Sequence, residues 1–161
     1  MRFIPVAFAV AMASSILPAF AEPSEVGVWR LQSIVFVDAA PGASSARVGA
    51  QPDGYAIFAN GHVSVVINAE SRAPLSGAPD RRTEEQARLY STMTAHAGKY
   101  RLENGRFVHP VDVAHDPRMV GKDLLRTTKF LSADGMKSTT PFFATPDGKK
   151  GRSVITWRRV Q

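Results

Sequence analysis

Cysteine is missing from all 161 residues. The fold therefore cannot lean on disulfides, no thiol nucleophile exists, and no cysteine is present to carry a lipid. The G-x-S-x-G elbow of serine hydrolases is also missing, as are the G-x-G-x-x-G and Walker phosphate cradles. His62 and Ser64 are spaced to share one side of a strand, but no acid is specified to orient them. Basic residues exceed acidic ones by 20 to 14, yet they fall in scattered pairs such as Arg81-Arg82 and Arg158-Arg159. A nucleic-acid surface needs a basic stripe interleaved with stacking aromatics, which this sequence lacks. No internal repeat, heptad or low-complexity tract is evident.

The first 21 residues, MRFIPVAFAVAMASSILPAFA, read as a secretory signal peptide. Arg2 supplies the positive end, Val6 to Ala13 the apolar run, and Ala19-Phe20-Ala21 the small-residue cleavage site. A membrane anchor would need about 20 continuous apolar residues, and Ser14, Ser15 and Pro18 interrupt the run. Cleavage after Ala21 predicts a periplasmic or secreted protein with no stable membrane insertion. It leaves residues 22–161 as one domain of 140 residues (161 less 21), with Arg2 removed and a net charge of +5 instead of +6. A chain of that length buries roughly two-thirds of its unfolded surface.

Five dipeptides punctuate the mature chain: Asp53-Gly54, Asn60-Gly61, Asn104-Gly105, Asp134-Gly135 and Asp147-Gly148. Each suits the positive φ of a two-residue hairpin turn. Between them lie runs rich in Val, Ile, Phe, Tyr and Thr. The clearest hairpin pairs Tyr55–Ala59 with His62–Asn68. With a first strand from Val28 and a last in "RSVITWRRV", the count comes to about eight antiparallel strands, the number that closes into a small barrel. One segment differs. Thr83 and Gln86 form a capping box, Leu89, Met93 and Ala97 recur at helical spacing, and Gly98 is a stop, so a helix over Thr83–Ala97 is predicted. It either gates a barrel mouth or simply covers an apolar sheet edge.

In this order the elements resemble the bacterial lipocalin-like domain family, a compact relative of the calycin barrels. Gly27-Val28-Trp29-Arg30-Leu31 is similar to the G-x-W-x-L opening, and "DGYAIFANGHVSVVI" to the hairpin that follows. "TEEQARLYSTMTAHAGKY" stands where the family has its helix and Gly-x-Tyr, here Gly98 and Tyr100. "VHPVDVAHDPRMVGKDLLR" and "ITWRRV" match the His-to-Arg segment and the terminal strand. Two departures stand out: His96 replaces an aromatic, and Pro110 interrupts the His-containing strand. The resemblance implies an all-β antiparallel barrel with one inserted helix. It also implies that Trp29 is covered by a basic side chain near the terminus, Arg159 or else Arg158, in a cation–π contact that closes the barrel end.

The candidate site follows from strand alternation. Phe107, His109, Val111 and Val113 share one face, and Leu124, Arg126, Thr128 and Phe130 share another. Two readings of Arg126 stay open. It holds the polar head of a small hydrophobic or amphipathic ligand with His109 and Tyr100, while Val111, Leu124 and Trp29 bury the apolar body. Otherwise it pairs with an acid or Tyr100 in a satisfied core network. His109, Asp112 and His115 do not make a metal site on a strand, because His109 and His115 stand about 20 Å apart at that spacing. No cofactor is indicated, and no catalytic residue is assigned. Two functional alternatives to ligand carriage remain: an isomerase or cyclase using His109 and Arg126 in the cavity, and a structural or interaction barrel with a filled core.

Overall fold

Two Asn-Gly dipeptides set the register of the sheet. Asn60 and Gly61 have φ of 50° and 73°, Asn104 and Gly105 of 51° and 74°, the paired left-handed conformation of a tight hairpin turn. The computed structural model describes residues 24–38, 44–45, 48–70, 72–144, 148 and 150–161. The leader, with its cleavage position after Ala21, and Asp147 of the last dipeptide lie outside the described residues.

In chain order the strands are β1 (Gly27–Asp38), β2 (Ser44–Ser45), β3 (Asp53–Ala59) and β4 (His62–Asn68). A 3-10 turn (Pro79–Arg81) leads into the helix α1 (Arg82–Ser91). There follow β5 (Met93–Lys99), β6 (Arg101–Glu103), β7 (Arg106–Pro110) and β8 (Val113–Ala114). After a second 3-10 turn (Pro117–Met119) come β9 (Asp123–Ser132), β10 (Gly135–Thr139), β11 (Phe143–Ala144) and β12 (Lys150–Arg159). All belong to one sheet ordered β6-β7-β9-β10-β12-β1-β3-β4-β5-β8, with β2 and β11 as short additions on β1 and β12. Every ladder is antiparallel. The architecture is thus an all-β antiparallel sheet with one helix.

Three sequence expectations change. Asp53-Gly54 is not a turn but the start of β3, where Gly54 sits so close to β4 that a Cβ would meet the Val66 carbonyl and lie 2.9 Å from Ile67 Cα. The helix ends at Ser91, not Ala97, and begins without a side-chain cap. Met93–Lys99 instead pairs along its whole length with β4, from His62↔Lys99 to Asn68↔Met93. A full ladder satisfies seven residues of backbone that a marginal helix extension would leave facing the sheet. Finally, the β1–β12 register shifts between Leu31 and Ser33. Plain alternation would carry the face of Trp29 and Leu31 on to Ser33 and Val35; the bulge instead turns Ile34 and Phe36 to the interior. Phe36 is accordingly buried, whereas Val35 is exposed.

The core gathers Trp29, Leu31, Ala56, Ile67, Met136, Ile155 and Trp157. Trp29 has no exposed surface, and its indole N–H donates to the Glu25 carbonyl at 2.7 Å. The Arg159 guanidinium lies 4.2 Å from its ring centroid. That guanidinium also donates to the carbonyls of Ser24, Val26 and Ala133, so it ties the chain before β1 to the β9–β10 turn. Arg158, the alternative, is exposed.

Where the chain passes from β7 to β8 it presses against β5. The Asp112 N–H donates to the Ala97 carbonyl at 2.9 Å, and a Cβ on Gly98 would collide with the Pro110 carbonyl and come 2.9 Å from Asp112 N. The two nearest atoms are backbone and cannot yield, with the Asp112 carboxylate next at 3.1 Å. Gly98→Ala is expected to destabilise the protein by at least about 2 kcal/mol in urea denaturation.

Candidate functional site: a cavity with one polar wall

The inward faces line a cavity of about 680 Å³, within the roughly 300–1,000 Å³ typical of small-molecule sites. One wall is hydrocarbon and comes from β3 and β4: Ala56, Phe58, Val63, Val65 and Ile67. The polar groups of the lining come from other strands: His96 from β5, where it pairs beside Val65 of β4, His109 from β7, Arg126 and Thr128 from β9, and Ser138 from β10. On β9, Leu124, Arg126 and Thr128 reach the cavity from every second position, and Asp123 and Leu125 line it as well.

Of the residues expected at the site, Arg126, His109, Tyr100 and Leu124 line the cavity; Val111 and Trp29 do not. Val111 is 2% exposed and is gripped by the turn before β9. Its N–H donates to the Lys122 carbonyl at 3.1 Å, and its carbonyl accepts from Gly121 at 2.9 Å. Trp29 packs in the core beneath Arg159. Tyr100 contributes its ring, which meets Phe58 edge-on at 5.2 Å. Its hydroxyl is engaged elsewhere, donating to Glu25 Oε1 at 2.9 Å. Burial and then the Glu25 carboxylate push the phenol up to about 12.

Arg126 has no acidic partner among the described residues. Its Nη1 donates to the Leu125 carbonyl at 2.8 Å, and no other hydrogen bond or ion pair joins it to the described residues. A guanidinium carries five N–H donors, so most of its capacity faces the cavity. Burial alone pushes its pKa down to about 10. The core network with an acid or with Tyr100, one of the two sequence readings, does not form among the described residues.

The imidazoles of His96 and His109 are joined, His96 Nδ1 to His109 Nε2 at 3.0 Å. His109 Nδ1 lies 2.8 Å from the Lys99 carbonyl. Burial is the main force holding both rings neutral; for His96, unfavourable charge–charge coupling to His109, Arg126 and His115 adds to it, and the pKa comes down to about 3. His96 is not legible as a site residue in the sequence, because the spacing of its segment predicts helix where the structure has β5. The Thr92-Met93-Thr94 run, with two β-branched residues, was the available strand signal. Ser138 was likewise missed; its hydroxyl meets that of Thr128 at 3.2 Å. His115 is occupied apart from the cavity, beside the Ala95 backbone and the Tyr90 ring. His62 and Ser64 lie on the exposed outer face.

An all-β antiparallel sheet with a cavity along its inward faces defines the general class. Residues 26–160 match the model of the lipocalin-like domain, and the chain belongs to that family. No curated protein matches the chain. Among solved structures, a redesigned beta barrel is similar at 14% identity and a TM-score of 0.40, over 84% of this chain and 91% of its own.

Two outcomes follow from the polar wall. The folded protein accepts His96 only as the neutral ring, whereas the unfolded chain protonates it near 6.5. Its contribution to stability is therefore present above pH 6.5 and is lost as pH falls toward about 3. The His96→Phe variant should lose a stability slope of up to about 1.4 kcal/mol per pH unit across that window, read as the difference from wild type in urea midpoints. Arg126→Met should leave the ligand-free protein more stable by about 1–3 kcal/mol at pH 7, because it removes a desolvated charge that has no counterion. Thermal unfolding of the two proteins checks the sign.

Proposed function

We propose that the protein is an exported carrier that binds a small, mostly apolar molecule inside an eight-stranded barrel. The observation that carries this reading is the uncompensated Arg126 guanidinium in the wall of an otherwise largely apolar cavity. A charge without a counterion is costly in a solid core. It becomes favourable when a bound molecule supplies the anionic or accepting group. The apolar body of such a molecule would lie against β3 and β4, each 100 Å² removed from water contributing about 2.5 kcal/mol.

The strand count supports the barrel. Only Tyr100 separates β5 from β6, and β6 pairs with β7 while β5 pairs with β8. Taken as two long bent strands, β5–β6 and β7–β8 form one hairpin about Asn104-Gly105. The two ends of the hydrogen-bonded path, β6 and β8, are then continuations of strands already inside it. The ring so formed has eight strands: β1, β3, β4, β5–β6, β7–β8, β9, β10 and β12. Export rests on the leader described above.

The acid–base enzyme reading, with His109 as the base, is disfavoured by geometry. Both ring nitrogens of His109 are engaged, one by Lys99 and one by His96. A filled structural barrel is disfavoured by the 680 Å³ of space inside the sheet.

Native mass spectrometry of the protein purified from its host's exported fraction tests the proposal. The expected mass is that of residues 22–161 with one co-purifying small molecule. Arg126→Met is expected to lose that molecule while keeping the wild-type circular dichroism spectrum. A clean apo mass together with no thermal shift across a panel of hydrophobic acids and alcohols would count for the filled, structural barrel.

A further inference from the structure

The two joined imidazoles are not equivalent. His109 Nδ1 faces a carbonyl oxygen, that of Lys99, so this nitrogen must carry the proton. In the neutral ring His109 Nε2 is then a lone pair, and it can only accept from His96 Nδ1. His96 consequently bears its proton on Nδ1. Its Nε2 is left as a pure acceptor without a partner among the described residues, on a side chain that lines the cavity. Arg126 offers the opposite chemistry, donors only. It stands opposite Phe107 while Leu124 stands opposite His109, which makes Arg126 the diagonal neighbour of His109 on the same face. Such neighbours lie about 7–8 Å apart.

Resting on the carrier reading above, we propose that His96 Nε2 and Arg126 together select a hydroxy-substituted aliphatic carboxylic acid. Arg126 holds the carboxylate, whose two oxygens fit the guanidinium fork. His96 accepts a hydrogen bond from the hydroxyl. A second anionic group is disfavoured at His96 because a neutral lone pair repels it, and an ammonium is disfavoured by the nearby guanidinium. A neutral donor answers both constraints. His109 touches no ligand atom in this scheme; it is a positioning residue that fixes the tautomer of His96 through the Lys99 carbonyl.

The test uses the mature protein and three probes: dodecanoate, 3-hydroxydodecanoate and 5-hydroxydodecanoate. Calorimetric titration should show at least one hydroxy acid binding wild type about fivefold or more tightly than dodecanoate, the scale of one net hydrogen bond. That preference should fall below about twofold in His96→Phe, which keeps ring volume, and in His109→Phe. Arg126→Met should instead weaken all three acids together. Long-range proton–nitrogen NMR of the unmutated protein should show both His96 and His109 as Nδ1–H tautomers, and His109→Phe should release His96 to a mixture. Wild-type His96 protonated on Nε2 overturns the proposal, even where a variant fails to fold. Equal binding of all three acids to wild type also overturns it and leaves the carrier reading standing. Binding of none of them, with a different molecule co-purifying, overturns the hydroxy-acid assignment alone; binding of none together with a clean apo mass removes both readings.

Discussion

The pairing of β1 with β12 is the constraint on which the rest of the structure depends. It joins the first long strand to the last, from Trp29↔Arg159 to Asp38↔Gly151. Every other strand hangs from one side of this seam or the other, β3 to β5 from β1 and β10 to β7 from β12. The two tryptophans of the chain meet here, Trp29 on β1 and Trp157 on β12, with Met136 and Ile155 packed against them. Arg159 sits over the outer end of this core. Its cation–π contact with Trp29, of order 0.5–2 kcal/mol, matters less for its magnitude than for where it acts, since its hydrogen bonds also anchor the chain ahead of β1. A seam between chain ends costs loop-closure entropy before it contributes stability. A large, fully buried apolar cluster is the physical answer to that cost.

The cavity opens beside this seam: Ile34, Ile155 and Trp157 of the seam strands line it together with Phe58, Phe107 and the polar groups of β5, β7, β9 and β10. The polar groups gather on one side and are satisfied to unequal degrees. The hydroxyls of Thr128 and Ser138 have each other, and His109 has the Lys99 carbonyl. His96 Nε2 and most of the Arg126 guanidinium have no protein partner among the described residues. Burial penalises charge at all three basic groups of the wall, so the ligand-free site holds two neutral imidazoles and one strained cation. This is a preorganised arrangement: the cost of desolvating the recognition groups is met in folding, before any molecule enters.

Much of the fold was legible in local chemistry. Asn60-Gly61 and Asn104-Gly105 announced hairpins because positive φ leaves few residue choices. The alternation of His62–Asn68 and of Asp123–Ser132 marked strands for the same kind of local reason. The errors came where a distant partner overrode a local preference. Leu89, Met93 and Ala97 do recur at helical spacing, yet residues 93–99 pair with β4 because that ladder is available. Asp53-Gly54 has turn chemistry, yet Gly54 is needed for close approach to β4. The bulge after Leu31, which decides that Phe36 and not Val35 is buried, has no signature in β1 alone.

The candidate site divides in the same way. Arg126, His109 and Leu124 were readable as inward-facing because period-2 alternation is a property of the strand itself. Val111 was misplaced because Pro110 ends the regular run and the turn at Gly121-Lys122 takes hold of the next residue. His96 became visible only in three dimensions: 13 residues separate it from His109, and a shared hydrogen bond joins them. By itself the sequence determined the class of fold, the turns and the faces of the strands, since these follow from φ preferences and side-chain alternation. Tertiary structure alone decided which inward polar groups found partners and which were left open to the cavity, because partnership depends on which strands become neighbours when the sheet curls.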